Sequence, residues 1–133
     1  MACIRKEIVV DAPPDEVWSA VRDVGAVHQR LVPGVLLDAR LEPGARTVTF
    51  ANGMVVRELI VDIDDESRRL SYAAVGGRTT HHNASIQVFA EGANKSRMVW
   101  ITDLLPNEMA APIAALVEQG AAAMKKTLER KTT

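Results

Sequence analysis

The sequence has few aromatic residues, a single cysteine and no long apolar run. Aromatic residues make up 4% of the 133 residues, so an internal space would be lined mainly by aliphatic side chains, methionine and alanine. Cys3 is the one cysteine, which excludes an intrachain disulfide. No apolar stretch is long enough for a signal peptide or a membrane span, which predicts a cytoplasmic protein that does not insert into membranes.

Strong charge of one sign and the common cofactor motifs are also missing. The net charge is −1 and no block of five like charges occurs, so the electrostatic footprint of a nucleic-acid-binding protein is absent. The sequence contains no phosphate-binding glycine loop, no Cys/His set with zinc spacing and no G-x-S-x-G motif. It therefore predicts no cofactor and no metal site, and it leaves monomer and homodimer both open.

The length predicts a single domain over residues 1–133, and the first part of it mixes strand and helix. A β-rich run at 4–10 is followed by two prolines and by Asp15, a candidate helix cap. Helical spacing then continues until Gly25. A second short helix or turn is predicted from Ala26 to Val32.

From residue 35 the apolar period changes from helical to two. Asn52-Gly53 is the strongest hairpin signal in the chain. Six further strands are predicted, at 35–41, 46–51, 54–63, 70–75, 84–90 and 97–105. A long helix follows over 108–130, with Pro112 near its first turn. Its apolar stripe consists of Met109, Ile113, Leu116, Val117, Gly120, Met124 and Leu128.

This order of elements predicts an α+β fold. Consecutive strands with short connections must be mostly antiparallel, and helices segregated from strands argue against βαβ units. The expected architecture is a curved antiparallel seven-stranded sheet around the long C-terminal helix, with two short helices after the first strand.

Glu58 is the most informative polar residue for function. It shares a strand face with Met54, Val56 and Ile60, and a carboxylate among apolar neighbours is costly to bury without a partner. Such a group can bind a ligand or transfer a proton. The alternative is a solvent-facing or edge-strand glutamate, since the opposite face around Arg57 is apolar as well.

His81, His82 and Tyr72 are further candidates. Adjacent strand residues point to opposite faces, so one histidine at most faces an interior cavity, and His82 is the tentative choice. Tyr72, the sole tyrosine, either offers its hydroxyl to a ligand or is a core aromatic residue with one satisfied polar end. The small residues from Gly120 to Ala123 predict either close helix–sheet contact or space for a ligand.

Several segments resemble the START-related, or SRPBCC, helix-grip superfamily. The run Ile8-Val9-Val10-Asp11-Ala12-Pro13-Pro14-Asp15-Glu16-Val17-Trp18 is similar to the opening of these proteins, and Glu58–Glu66, Leu70-Ser71-Tyr72, Gly76-Gly77, Trp100 and Pro106 also match. The chain resembles the polyketide cyclase/dehydrase group, plant abscisic acid receptors and birch-pollen-allergen-like proteins. The receptors' gate loop is shortened here to Asn52-Gly53 and their latch motif is missing, so no hormone switch is expected.

The resemblance implies a hydrophobic cavity between sheet and helix, and hence a small hydrophobic or amphipathic ligand. Glu58 would be an inward-facing acidic residue of this cavity. The other expected ligand-binding residues are Val48, Phe50, Val56, Tyr72, Ala74, His82, Ala84, Ile86, Ile113, Leu116, Val117, Gly120 and Met124.

Three functional hypotheses follow. The first is a ligand-binding or lipid-transport module in which Glu58 anchors the polar end of the ligand. The second is a cyclase, dehydratase or isomerase acting on an apolar carbonyl compound, with Glu58 as general acid/base and His82 or Tyr72 as proton partner. The third is a solidly packed domain used in protein association. Hydrogen-bond contact between Glu58 and His82 or Tyr72 would favour the enzyme, and Glu58 without them would favour binding.

Overall fold

A seven-stranded antiparallel sheet and one long helix form the fold, which confirms the predicted α+β helix-grip architecture. The computed structural model describes residues 2–130. The strands are β1 (Ala2–Val10), β2 (Leu36–Glu42), β3 (Ala45–Phe50), β4 (Val55–Asp64), β5 (Arg69–Val75), β6 (His81–Ala90) and β7 (Ser96–Leu105). The helices are α1 (Pro14–Arg22), α2 (Val27–Arg30) and α3 (Ala110–Leu128), with short 3-10 turns at Val24–Ala26 and Asn107–Met109.

The strands are ordered β1-β7-β6-β5-β4-β3-β2 across the sheet, and each neighbouring pair is antiparallel. Hairpins connect β2 through β7 in sequence, and β1 joins the free edge of β7. The β3–β4 turn contains Gly53 with φ of +90°, a backbone conformation that glycine adopts without strain. A bulge between Ile60 and Asp62 interrupts the β4–β5 register, and such bulges bend a strand.

The start of α1 differs from the predicted cap. Pro13 occupies the capping position and Pro14 is the first helical residue, with no side-chain capping hydrogen bond. Asp15 lies inside the first turn, where its Oδ1 accepts a hydrogen bond from Arg68 Nη2 at 2.8 Å. Proline fits the first helical position because its missing N–H would be unpaired there anyway. The tandem prolines therefore start the helix two residues earlier than a cap at Asp15 would.

The long helix is fixed to β1 by buried apolar side chains and by polar contacts on its outer face. Val117, Ala121 and Met124 are buried. Lys125 Nζ donates to the carbonyl of Val9 at 2.6 Å. The helix begins two residues later than predicted, with Pro112 in its first turn. Among residues 2–130, no helix combines the length and apolar character needed to cross a membrane.

The inward-facing residues of the sheet complete the core. Val10, Val48, Leu70, Ile86, Val88 and Met98 are each at most 3% exposed. Strand β6 begins at His81, three residues earlier than predicted. Its first residues are polar, but their side chains already alternate between the outer and the inner face, as in the rest of the strand.

Candidate functional site

An ion pair lies on the inner face of the sheet between β3 and β4. Arg46 and Glu58 are register partners in this strand pair, and Arg46 Nε donates to Glu58 Oε1 at 2.8 Å. Their side chains are 5% and 13% exposed. A guanidinium and a carboxylate taken out of water each carry a large desolvation cost, which the pairing offsets. Glu58 therefore faces inward, and it does so with a charged partner.

Arg46 makes two further contacts that hold its guanidinium in place. Nη1 donates to the carbonyl of Val24 at 3.2 Å, and the guanidinium carbon lies 5.2 Å from the centroid of the Tyr72 ring, a cation–π distance. Within residues 2–130, Arg46 is the one charged residue that is buried, at 4% exposure. These contacts fix the orientation of its planar group relative to the interior.

Tyr72 and Trp100 form a second polar contact beside this pair. Trp100 Nε1 donates to the Tyr72 hydroxyl oxygen at 3.1 Å. Burial raises the pKa of Tyr72 strongly, and the negative charge of Glu58 raises it further. The phenol therefore keeps its proton at neutral pH. Because its oxygen accepts from Trp100, its O–H is available as a donor.

The two adjacent histidines face opposite sides of β6, as predicted from strand alternation. His81 is exposed, and its Nε2 is hydrogen bonded to Asn83 Oδ1 on the outer face. His82 is partly buried and faces the interior. Burial lowers the pKa of His82, the charge of Glu58 opposes this shift, and His81 adds to it. A neutral imidazole is thus favoured at pH 7.

These groups border a cavity of about 110 Å³ between the sheet, α2 and α3. Ten of the predicted site residues line it: Phe50, Glu58, Tyr72, His82, Ile86, Ile113, Leu116, Val117, Gly120 and Met124. Gly120 lies against the Trp100 ring, where an added Cβ would come within 3.0 Å of Cη2. The small residue in the helix therefore serves close packing against one cavity wall.

The other four predicted residues lie beside the cavity rather than on its wall. Val48 and Ala84 are buried in the core, at 0% and 3% exposure. Val56 packs against that core. Ala74 is the register partner of Glu58 on β5.

Sequence reasoning missed nine lining residues, which come mainly from α2, the segment after it and the central strands. They are Val27, Leu31, Val32, Val35, Leu36, Arg46, Leu70, Trp100 and Thr102. A signal for Arg46 was present, because it has the same strand parity as Val48 and Phe50. The residues around α2 had no such signal, since their position over the sheet depends on the tertiary fold.

A family model described as polyketide cyclase/dehydrase and lipid transport matches residues 1–130. The chain belongs to the polyketide cyclase/dehydrase and lipid transport family. This confirms the predicted resemblance over nearly the whole sequence. No curated protein sequence matches the chain.

Solved structures with the same fold include proteins of different kinds. A START superfamily protein from Mycobacterium smegmatis has a TM-score of 0.78 at 14% identity, covering 96% of this chain and 97% of its own. A norcoclaurine synthase point mutant from Thalictrum flavum, in complex with a transition-state analogue, has a TM-score of 0.72 at 22% identity, with 96% and 93% covered.

A two-domain aromatase/cyclase, BexL of the BE-7585A biosynthetic pathway, also shares the fold of this family member. Its TM-score is 0.84 at 17% identity, and the match covers 97% of this chain but 47% of BexL. At these identities the likeness establishes the fold alone, and function has to be argued from the cavity.

Proposed function

We propose that this family member binds a small amphipathic molecule in the cavity between sheet and α3. The observation that carries the proposal is the placement of a buried, hydrogen-bonded polar cluster at one part of an otherwise apolar wall. Arg46, Glu58, Tyr72 and His82 form the polar part, and aliphatic side chains such as Ile86 and Met124 form the rest. Ligand sites typically combine an apolar lining with a few placed polar groups in this way.

The size of the cavity bounds the part of the ligand that it accepts as it stands. A cavity of about 150 Å³ holds benzene, and this one measures about 110 Å³. As it stands the cavity therefore offers less room than that benzene site and accepts at most a short alkyl chain. A larger ligand requires the wall to move at Phe50, Ile113 or Leu116, which are only half-buried.

Native mass spectrometry of the purified protein tests the proposal, together with titration by 2-octanone followed through Trp100 fluorescence. The reporter protein carries Trp18→Phe, so that Trp100 is the single tryptophan. We expect saturable binding that Leu116→Phe weakens at least tenfold, because the larger ring fills cavity space and adds no second tryptophan. Gln119→Phe, on the exposed face of the same helix, is the matched control and retains binding. No saturation in the parent, or equal binding in both variants, would contradict a cavity site.

The enzyme hypothesis has one supporting observation, namely that Glu58 and the neutral imidazole of His82 line the same cavity. Glu58 Oε1, however, accepts from Arg46, and no hydrogen bond links Glu58 to His82 or Tyr72 among the described residues. This arrangement favours binding over proton transfer by Glu58.

Incubation with 2-octanone in D2O separates the two functions. Base catalysis would be established if deuterium entered the carbon next to the carbonyl and this uptake were lost in Glu58→Gln.

A further inference from the structure

We propose that the cavity selects uncharged amphipathic molecules whose polar end is a hydrogen-bond acceptor, such as a ketone, ester or amide oxygen. Carboxylates and amines with the same apolar part should bind more weakly. This inference rests on the proposed function, because it names the class of ligand that the same cavity takes. Two features of the polar cluster carry it: the balance of its charges and its unused donors.

The charges of the cavity wall already cancel. Arg46 and Glu58 are the two lining residues with full charges, and they are paired at 2.8 Å. His82 and Tyr72 add no charge at neutral pH, because burial lowers the pKa of one and raises that of the other. An ionised ligand would bring a charge into a site without a free counter-charge, and its desolvation cost would stay uncompensated.

Hydrogen-bond donors outnumber their partners in this cluster. A guanidinium carries five N–H donors, of which Arg46 uses Nε for Glu58 and one on Nη1 for Val24. Its Nη2 has no hydrogen-bond partner within residues 2–130, although the residue is only 4% exposed. The Tyr72 hydroxyl accepts from Trp100 and has no acceptor for its own proton in the same range. The described residues have one fully buried side-chain nitrogen or oxygen without a partner, His28 Nδ1, so Arg46 Nη2 is not sealed in the core. Arg46 and Tyr72 both line the cavity, where a ligand oxygen would pair with these donors.

The test uses two series of probes, and the members of each series share one alkyl chain and differ at the polar end. The butyl series is 2-hexanone, pentanoate, pentylamine and the nonpolar hexane. The hexyl series is 2-octanone, heptanoate, heptylamine and the nonpolar octane. Binding is followed at pH 7.5 by amide NMR shifts of cavity residues. We expect each ketone to bind at least tenfold more tightly than the carboxylate and amine of its series. A carboxylate or amine that equals its ketone would overturn the selectivity while leaving the binding function intact.

Two variants test whether the ion pair is the cause. Glu58→Gln leaves the positive charge of Arg46 without a counter-charge. The ratio of ketone affinity to carboxylate affinity should therefore fall at least tenfold. The double variant Arg46→Gln/Glu58→Gln restores net neutrality and should retain the preference for the ketone, including the case in which the single variant fails to fold. An unchanged ranking in folded Glu58→Gln would overturn the charge-balance explanation. If no probe, alkanes included, shifts the cavity residues of the parent, the proposed function fails and the selectivity fails with it.

Discussion

Arg46 and Glu58 show how one contact between two residues serves both stability and the candidate site. Each side chain is buried on the inner face of the sheet, and each is tolerated there because the other neutralises it. The pair is held by adjacent strands, so its geometry is set by β-sheet register rather than by flexible loops. A ligand would therefore bind to a preorganised polar group. The entropy of orienting that group is already lost on folding, so binding does not lose it again.

Removing one partner of this pair should cost more than removing both. Arg46→Met leaves the Glu58 carboxylate buried without a counter-charge, and we expect the free energy of unfolding to fall by about 3–5 kcal/mol. The double variant Arg46→Met/Glu58→Leu should lose clearly less, because apolar pairs often replace buried ion pairs at little cost. Urea unfolding followed by circular dichroism measures both. Equal losses in the single and double variants would show that the pairing contributes nothing.

His82 should make stability depend on pH in the range where histidine titrates. Its pKa in the folded protein lies below the ordinary value of 6.5 because of burial. Between these two pKa values the unfolded chain binds more protons, so the free energy of unfolding rises with pH. This stability is fully present above about pH 6.5 and is lost as pH falls through the folded pKa.

Urea midpoints between pH 5 and pH 8 measure this dependence. We expect His82→Gln to flatten the profile, whereas His81→Gln, at an exposed position of the same strand, should leave it nearly unchanged. A profile that His81→Gln flattens more than His82→Gln would contradict the assignment to the buried ring.

At the scale of the element, α3 borders the cavity from Ile113 to Met124 but is unevenly buried along that length. Towards its C-terminal end Ala121 and Met124 are buried, and Lys125 Nζ donates to the Val9 carbonyl. The earlier residues Ile113 and Leu116 are half-buried and line the cavity. Any opening of the cavity by this helix would thus affect its N-terminal half, where fewer contacts oppose it.

Gly120 affects both the packing of α3 and the shape of the cavity, because it lies against Trp100 and both residues line the cavity. In Gly120→Ala, the added Cβ would meet Trp100 Cη2 and Cζ3 at 3.0 and 3.1 Å, an overpacking that costs roughly 1–3 kcal/mol. Better helix propensity returns about 1 kcal/mol. We expect a net loss of roughly 0–2 kcal/mol, a shift in Trp100 emission and weaker binding of 2-octanone.

Ala122→Gly is the matched control for this change, since residue 122 is exposed on the same helix. It should cost about 1 kcal/mol through propensity alone and leave Trp100 emission and probe binding unaltered. If Gly120→Ala raised stability with the same emission and affinity as the parent, the contact with Trp100 would be too loose to shape the cavity.

At the scale of the whole molecule, exposed carboxylates tie distant elements together. Hydrogen bonds from Arg22 and from the Trp18 indole lower the pKa of Asp65, connecting α1 to the β4–β5 turn. Hydrogen bonds from Lys125 and from the Asp11 backbone lower the pKa of Glu129, connecting the end of α3 to the end of β1. Each group is more acidic when folded, so each stabilises the fold above its unfolded pKa.

Acid should therefore weaken the fold in a second step, separate from that of His82. The stability from these carboxylates is lost as pH falls through their folded pKa values, below the ordinary values of 3.8 for Asp65 and 4.5 for Glu129. Thermal midpoints from pH 6 to pH 2.5 should decline in this lower range, and Asp65→Asn should reduce the slope there. If Asp65→Asn left this decline unaltered, the contacts of Asp65 would contribute nothing to the pH dependence of stability.

The sequence by itself determined the order of elements and much of the strand parity. Alternation placed Val48 and Phe50 on one face of β3 and put His81 and His82 on opposite faces of β6, and the spacing of Ile113 to Met124 gave the apolar side of α3. The inward direction of Glu58 rested on the family resemblance, because both faces of β4 are apolar in sequence. These patterns are local, because side-chain direction follows directly from a strand period of two and a helix period of 3.6. Family resemblance added the expectation that this face encloses a cavity.

Only the tertiary structure decided what Glu58 contacts and how much space it faces. Pairing of β3 with β4 brings Arg46 to it across a chain separation of 12 residues, and pairing of β5, β6 and β7 brings Trp100 to Tyr72. The position of α2 over the sheet added Val27 and Leu31 to the wall. Such contacts depend on register and packing between distant segments, and no local pattern encodes them.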